Sequence, residues 1–392
     1  MSDLSLNLQQ AQAQLPVSNY FDEALHQREN EMLFKSGPRY VGHQLAVPQL
    51  GDFCTLPQEA AGRALVRTPA GIELISNVCR HRQALILQGR GSLNTVQSGS
   101  AGGNIVCPLH RWTYSGSNTS GPVKAGTLIG APHFAQDPCL NLNNYPLQSW
   151  NGLLFEKNPD SRNVALDLAH MGPLADLDFS GHVLDRVEMH ECNYNWKTFI
   201  EVYLEDYHVG PFHPGLGSMV SCEDLRWEFK EHYSVQTVGV ANRLGRADAT
   251  GGSPVYERWQ NALLKYRNGV PPKYGAIWLT CYPGVMVEWY PHVLTVSTLH
   301  PLGPQKTMNM VEFYYPEEIH AFEREFVEAQ QAAYMETCVE DDEIALRMDA
   351  GRKALMQRGD NEFGPYQSPM EDGMQHFHQW YRREMGMGHT PT

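Results

Sequence analysis

The sequence predicts an α+β protein in which a small all-β domain precedes a larger antiparallel-sheet domain closed by C-terminal helices. Three observations carry that expectation. Between Asp52 and Trp150, short β-rich runs such as Ala64–Arg67 and Ile72–Asn77 alternate with Gly, Pro and Asn turns. Residues 276–315 repeat β-branched and aromatic runs separated by ProGly, ProHis and LeuGlyProGln turns, the pattern of an antiparallel meander. The stretch after Pro316 reads as helix as far as Arg358. We divide the 392 residues into an N-terminal helical segment at 1–40, the all-β domain at 41–160 and the larger domain at 161–392.

Composition narrows the class of function. Hydrophobic residues make up 42% and charged residues 19%, enough apolar material for buried cores and too little charge for extended disorder. A formal charge of −14 disfavours nucleic acid and acidic membranes as partners, because either needs a dense Lys/Arg surface. The first thirty residues hold neither a basic stretch before an apolar core nor a span of membrane length, so cytoplasmic residence without a membrane is expected. Eight cysteines spread over the whole chain read as reduced thiols, with two exceptions taken up below.

Each element has its own signal. Ser92–Asn104, with GlnSerGlySerAlaGlyGly at its centre, is poor in apolar residues and reads as a surface loop. After Asn195, the residues Trp196, Phe199, Ile200 and Tyr203 recur at helical spacing, and the predicted helix runs until Gly210 and Pro211 break it. Two helices are expected at 317–337 and 341–358, with Pro316 as the start and Gly359 as the terminator. No repeat of solenoid length is present in the sequence.

Two constellations carry chemistry. Cys79-Arg-His81 and Cys107-Pro-Leu-His110 set one thiolate and one imidazole on each of two loops. In a Rieske cluster two cysteines hold one iron and two histidines the other, which raises the reduction potential and suits an electron relay. Two Cys and two His also satisfy tetrahedral zinc. The continuation CysProLeuHisArgTrpThrTyr, reaching Gly116 and Gly121, is close to the CPxHGWxF…G pattern of Rieske domains and favours the cluster. Arg111 stands where that pattern has Gly, and the 92–104 insertion lengthens the distance between the ligand pairs.

The second constellation is AsnTrpLysThrPheIleGluValTyrLeuGluAspTyrHisValGlyProPheHis, which places His208 near a helix end and His213 just past it. With one carboxylate, two such imidazoles form the facial triad that binds Fe(II) and leaves positions open. The isolated residues His182, His190, His232, His292 and His300 read as core or surface histidines.

The order of these motifs, namely a Rieske pattern, Asn-Trp-Lys, D/E-x-x-H-x4-H and a distal acidic helix, resembles the oxygenase (alpha) subunit of Rieske non-haem iron oxygenases over nearly the whole chain. TyrProGlyValMet, HisProLeuGlyPro and PheHisGlnTrpTyr are similar to the choline, glycine betaine and carnitine monooxygenase branch. The resemblance implies a [2Fe-2S] cluster on Cys79, His81, Cys107 and His110, and a mononuclear Fe(II) in a helix-grip (START-like) domain on His208, His213 and an acidic residue of Glu340-Asp341-Asp342-Glu343. Asp342 is our choice for the carboxylate, with Asp341 second. The resemblance further implies a homotrimer, in which Glu205 joins His208 to His110 of a neighbouring subunit. Asp206 is the adjacent competitor for that bridge.

By the same resemblance, electrons from a separate NAD(P)H-dependent reductase drive O2-dependent hydroxylation of a small molecule, by monooxygenation, oxidative demethylation or ring hydroxylation. The chain has neither a GxGxxG after a strand nor a four-cysteine ferredoxin spacing, so the reductase is a partner. The alternatives are an arene cis-dihydroxylating dioxygenase of aromatic hydrocarbon catabolism and a non-catalytic Rieske electron carrier. Trp278, Tyr282, Trp289 and Tyr290 are candidates for an aromatic box around a quaternary ammonium group.

Overall fold

Alternating apolar residues give each short extended run a face to bury. In the computed structural model, which describes residues 14–96, 99–118, 123–135, 137–159, 161–241, 244 and 252–387, those runs assemble into four antiparallel sheets. Gly121 of the loop motif lies outside the described residues. No helix among them is long and apolar enough to cross a membrane. The chain divides into two units, Lys35–Ala169 and the remainder, composed of the residues up to Phe34 with His170–Thr392.

The Lys35–Ala169 unit is all β. A five-stranded sheet holds Gly71–Ser76 near one edge, and a four-stranded sheet contains Asn104–Val106 and Thr113–Tyr114 as central strands. Phe53, Ile75, Leu87, Ile105 and Trp112 form a core that also encloses Cys79 and Cys107. The predicted surface loop at 92–104 is partly strand. Ser100–Ala101 pairs with Asn104–Val106, and Leu93 and Ser100 are buried, because the insertion is a hairpin arm that fills the core edge.

The larger unit is built on a seven-stranded sheet. From edge to edge its strands are His182–Cys192, Lys306–Pro316, Val293–Gly303, Val285–Tyr290, Ala276–Cys281, Tyr233–Val240 and Val220–Lys230. The predicted meander is therefore four consecutive strands of this sheet. Trp278, Tyr290, Phe313 and Tyr315 pack with Phe326, Val327 and Ala333 of a C-terminal helix, so the sheet grips that helix through an aromatic core. A second core joins Trp196 and Ile200 to Phe377, Trp380 and Tyr381 of the helix Asp372–Glu384, and to Leu15, Tyr20 and Leu33 of the N-terminal segment.

Helix boundaries differ from expectation in two places that bear on the site. The two predicted C-terminal helices are instead a short one, Glu317–Phe322, and one continuous 35-residue helix, Arg324–Arg358, ended by Gly359 in the left-handed region at φ 78°. Their break falls at Glu323, so the acidic run 340–343 lies in a helix interior, away from any helix N-terminus. The helix after Asn195 stops at Tyr203, and Gly210-Pro211 lies inside a separate four-residue helix, Val209–Phe212, where a first-turn proline is tolerated. Asn195 caps the first of these by accepting the Lys197 N–H at 2.9 Å.

Candidate functional site

The two ligand loops of the β unit have the same local structure. Cys79 N–H donates to Ala84 O at 2.9 Å and Gln83 N–H donates to Cys79 O at 3.0 Å. Cys107 N–H donates to Trp112 O at 2.8 Å and Arg111 N–H donates to Cys107 O at 3.0 Å. Both loops need a left-handed residue at the fourth position after Cys, filled by Gln83 at φ 60° and Arg111 at φ 61°. That is the physical reason a glycine suits the Arg111 position.

The loops bring the four predicted ligands together as two pairs. The Cys79 and Cys107 thiols are buried, and burial pushes the Cys107 thiol up from its ordinary range. The imidazoles face outward, with His81 Nδ1 and His110 Nδ1 3.2 Å apart. Two buried sulfurs on one side and two nitrogens on the other match the division of donors in a Rieske cluster. Tyr114 OH lies 3.4 Å from Cys79 Sγ, where it can donate to a thiolate, and His81 stacks on Trp112 with centroids 5.0 Å apart.

In the larger unit, His208 and His213 flank the helix Val209–Phe212 and converge on the interior of the long helix. Their Nε2 atoms are 2.9 Å apart, and Asp341 Oδ1 lies 3.0 Å from His213 Nε2 and 3.5 Å from His208 Nε2. The structure brings Asp341, the second choice of the sequence analysis, to these nitrogens and does not bring Asp342 there. Adjacent residues on a helix diverge by a quarter turn or more, so the Asp342 carboxylate points elsewhere, accepting hydrogen bonds from His190 at 2.8 Å and Tyr194 at 2.7 Å.

Each of these two imidazoles is oriented through its other nitrogen. His208 Nδ1–H donates to Glu205 Oε1 at 2.5 Å, and His213 Nδ1–H donates to Glu340 Oε2 at 2.6 Å. The Glu205 contact forms across a turn, since the preceding helix has already ended at Tyr203. Burial opposes charge on His208, but the Asp341 and Glu205 carboxylates outweigh it and raise its pKa to about 10. Asp341 shows the converse: burial raises its pKa, and the two imidazoles bring it net below the ordinary value. The site thus stabilises positive charge, the electrostatic demand of a divalent cation, and two Nε2 atoms with one carboxylate oxygen form the donor set that a mononuclear iron accepts.

These donors open on a cavity lined by Tyr203, Tyr256, Trp259, Trp278, Tyr290 and Tyr334, together with the acidic residues Glu205, Asp206 and Glu288. Asp206 is buried and accepts from Gln236. Burial raises its pKa to about 7. Of the predicted aromatic box, Trp278 and Tyr290 line the cavity. Tyr282 packs in the other core and Trp289 against Tyr274, so the four rings do not form one cage. Among the described residues, neither set of possible metal donors includes His182, His232, His292 or His300.

Sequence reasoning offered Glu340 only as a candidate ligand and missed its pairing with His213, the His190–Asp342–Tyr194 group and Glu288. The first two are tertiary pairings with no local spacing to betray them. Glu288 did carry a signal, a lone carboxylate within the apolar run ValMetValGluTrpTyr.

Comparison with known proteins bears on both units. A model of the Rieske [2Fe-2S] domain matches residues 41–145, and one of the ring hydroxylating alpha subunit (catalytic domain) matches 179–387. Putrescine 2-hydroxylase of Ralstonia nicotianae is 64% identical over 98% of this chain and 100% of its own length. Putrescine 2-hydroxylase of Bordetella bronchiseptica is 61% identical over 96% of this chain and 85% of its own. Among solved structures, a quaternary ammonium Rieske monooxygenase in complex with L-carnitine superposes with a TM-score of 0.70 at 18% identity, covering 98% of both chains.

Proposed function

The chain belongs to the Rieske oxygenases as a ring-hydroxylating-type alpha subunit with a [2Fe-2S] cluster and a mononuclear iron, and from that premise we propose that it monooxygenates a small aliphatic diamine such as putrescine. The observation that carries the reading is the cavity beside His208, His213 and Asp341. Apart from His190, His208 and His213, its charged lining is acidic, and no Lys or Arg of the described residues faces it. A dication suits such a chamber, whereas an unsubstituted arene gains nothing from carboxylates it leaves desolvated. The two putrescine 2-hydroxylases share more than 60% of their residues with this chain, which supports the same substrate class.

In this reading Cys79, Cys107, His81 and His110 hold the cluster, and His208, His213 and Asp341 hold the iron. The cluster supplies single electrons and the iron the activation of O2 for C–H hydroxylation. The protein's own residues do the rest. Glu205 and Glu340 keep the Nδ1 protons of the two histidines, so that both Nε2 lone pairs are free for a metal. The His190 and Tyr194 hydrogen bonds hold Asp342 away from the site, which leaves its neighbour Asp341 as the single carboxylate. Tyr203, Trp259 and Tyr290 exclude water from the substrate end. Electrons come from a separate NAD(P)H-dependent reductase, and Glu205 bridges to His110 of the next subunit in a homotrimer.

The test is turnover with a surrogate reductase, NADH and O2 on a panel of diamines, monoamines, betaines and aromatic carboxylates. A hydroxylated diamine formed in proportion to O2 consumed is the expected result. Formaldehyde from a betaine or a cis-dihydrodiol from an arene, with diamines inert, would overturn the assignment.

A further inference from the structure

Glu288 is a charged residue placed where strand physics disfavours it. It sits near the middle of the sheet on Val285–Tyr290, 1% exposed, opposite Trp278 on one neighbouring strand and Thr295 on the other. Its carboxylate is dressed by hydroxyls: Tyr290 OH donates to Oε2 at 2.9 Å and Tyr334 OH donates to Oε1 at 3.0 Å. Trp278 Nε1–H donates in turn to Tyr290 OH at 3.0 Å, fixing that ring. No ion pair among the described residues involves Glu288, and every basic side chain of the cavity wall is an iron-site or neighbouring histidine.

The rings around it form a corner. Tyr290 stands at 90° to Tyr334, 75° to Trp259 and 72° to Trp278, with centroids 6.0 to 6.3 Å apart. Perpendicular rings present negative faces in several directions, and the carboxylate at their meeting point adds its charge when it is ionised, as a bound cation favours. An anion this desolvated destabilises the fold unless a counter-charge meets it. Each oxygen accepts one phenolic hydrogen bond, and the buried hydroxyls of Tyr203 and Thr295, which have no other partner, also face the carboxylate, so every group that meets it is a neutral donor. Such a corner fits a cation that carries N–H groups.

We propose that Glu288, within the corner of Trp278, Tyr290 and Tyr334, receives one ammonium group of the substrate and sets the enzyme's preference for primary amines over quaternary ammonium compounds and neutral isosteres. This rests on the diamine reading above. A quaternary nitrogen has no N–H to give the two oxygens, and its methyl groups hold the charge away from them. An alcohol isostere leaves the carboxylate without a partner of opposite sign. Glu288 acts in binding and specificity and takes no part in the oxidation itself.

Equilibrium titration of the holo-oxygenase, anaerobic and without reductase, tests this with putrescine, 1,4-butanediol and glycine betaine. Wild type should bind putrescine, with the diol and the betaine each much weaker. Glu288→Gln, which keeps the shape and removes the charge, should weaken putrescine about 10- to 100-fold and leave the diol unchanged, with the Rieske spectrum as wild type. Putrescine binding within twofold of wild type in that variant would overturn the inference. So would wild-type protein that binds diol or betaine as tightly as putrescine, a result that stands even if the variant fails to fold. Failure of the diamine reading looks different, since wild type then turns over no amine. Turnover of putrescine by Glu288→Gln at wild-type KM leaves that reading intact and removes only the role of Glu288.

Discussion

At the scale of single residues, the long helix turns Asp341 toward His213 and Asp342 toward His190 and Tyr194. Cys79, His81, Cys107 and His110 announce themselves because each ligand pair lies within a few residues on one turn. The choice between Asp341 and Asp342 does not, because the two have the same chemistry and only the long helix decides which one turns toward His208 and His213. Asp341→Asn should abolish both iron binding and oxygenation, while Asp342→Asn should keep iron and lose about 10- to 100-fold in activity. Iron analysis and turnover of the two variants, both with an unaltered Rieske spectrum, check the order; equal loss in both would refute it. Glu288 gives a second prediction. Burial raises its pKa to about 7, the hydrogen bonds of Tyr290, Tyr334, Thr295 and Tyr203 only partly offsetting this. The groups facing it, Tyr203, Tyr290, Tyr334 and Cys338, are themselves pushed upward and stay neutral. A carboxyl whose folded pKa exceeds its unfolded one contributes stability below the unfolded value of 4.5, lost as pH rises through about 7. Without substrate, Glu288→Gln should therefore be the more stable protein above pH 7, by at most about 3 kcal/mol, and the advantage should vanish near pH 4.5. Denaturant midpoints across that range measure it.

At the scale of elements, strands and turns followed the sequence and helix lengths did not. The meander was readable because its turns carry Pro and Gly between β-branched runs. The break placed between the two C-terminal helices was not real: residues 338–340 continue a helix whose neighbours Ala345 and Asp349 are buried, and tertiary packing overrides a locally acidic run. The N-terminal segment is another case. Sequence marks it only as polar and helical, yet its Glu29 accepts hydrogen bonds from Lys197 Nζ at 2.7 Å, from Trp196 Nε1 at 2.9 Å and from Tyr381 OH. Lys197 and Glu29 are both buried, so the segment is an integral part of the larger unit. Because this pair lies under the helix that leads to Glu205 and His208, losing one partner strands a buried charge. Lys197→Met should destabilise by roughly 3–5 kcal/mol, whereas the double variant Lys197→Met with Glu29→Gln should recover much of that. Chemical denaturation of wild type, both single variants and the double variant settles the coupling, and additive losses would count against it.

At the scale of the whole molecule, the two metal centres must exchange electrons, and the fold offers one device for it. Glu205 already holds His208 through Nδ1, and one more hydrogen bond from a neighbouring subunit's His110 would make a continuous path. His110 is exposed on its own unit, as a residue must be if it is to meet another chain. In the proposed ring of three 44.2 kDa chains, each cluster serves the iron of the next subunit. This makes an inactive pair of variants informative. Cys107→Ala removes the cluster and keeps the iron, and Asp341→Ala removes the iron and keeps the cluster, so each homotrimer is dead. In any mixed ring, however arranged, one boundary joins an intact cluster to an intact iron in the correct sense. Co-expression in equal amounts makes about three-quarters of the rings mixed, each with one productive boundary of three, for about a quarter of wild-type activity. Transfer confined to a single chain predicts none, because no chain in the mixture carries both centres. Adding Glu205→Gln to the Asp341→Ala chain should leave the rescue intact, since that chain donates only its cluster. The same change in the Cys107→Ala chain should suppress it, which places the bridge on the accepting side of the boundary.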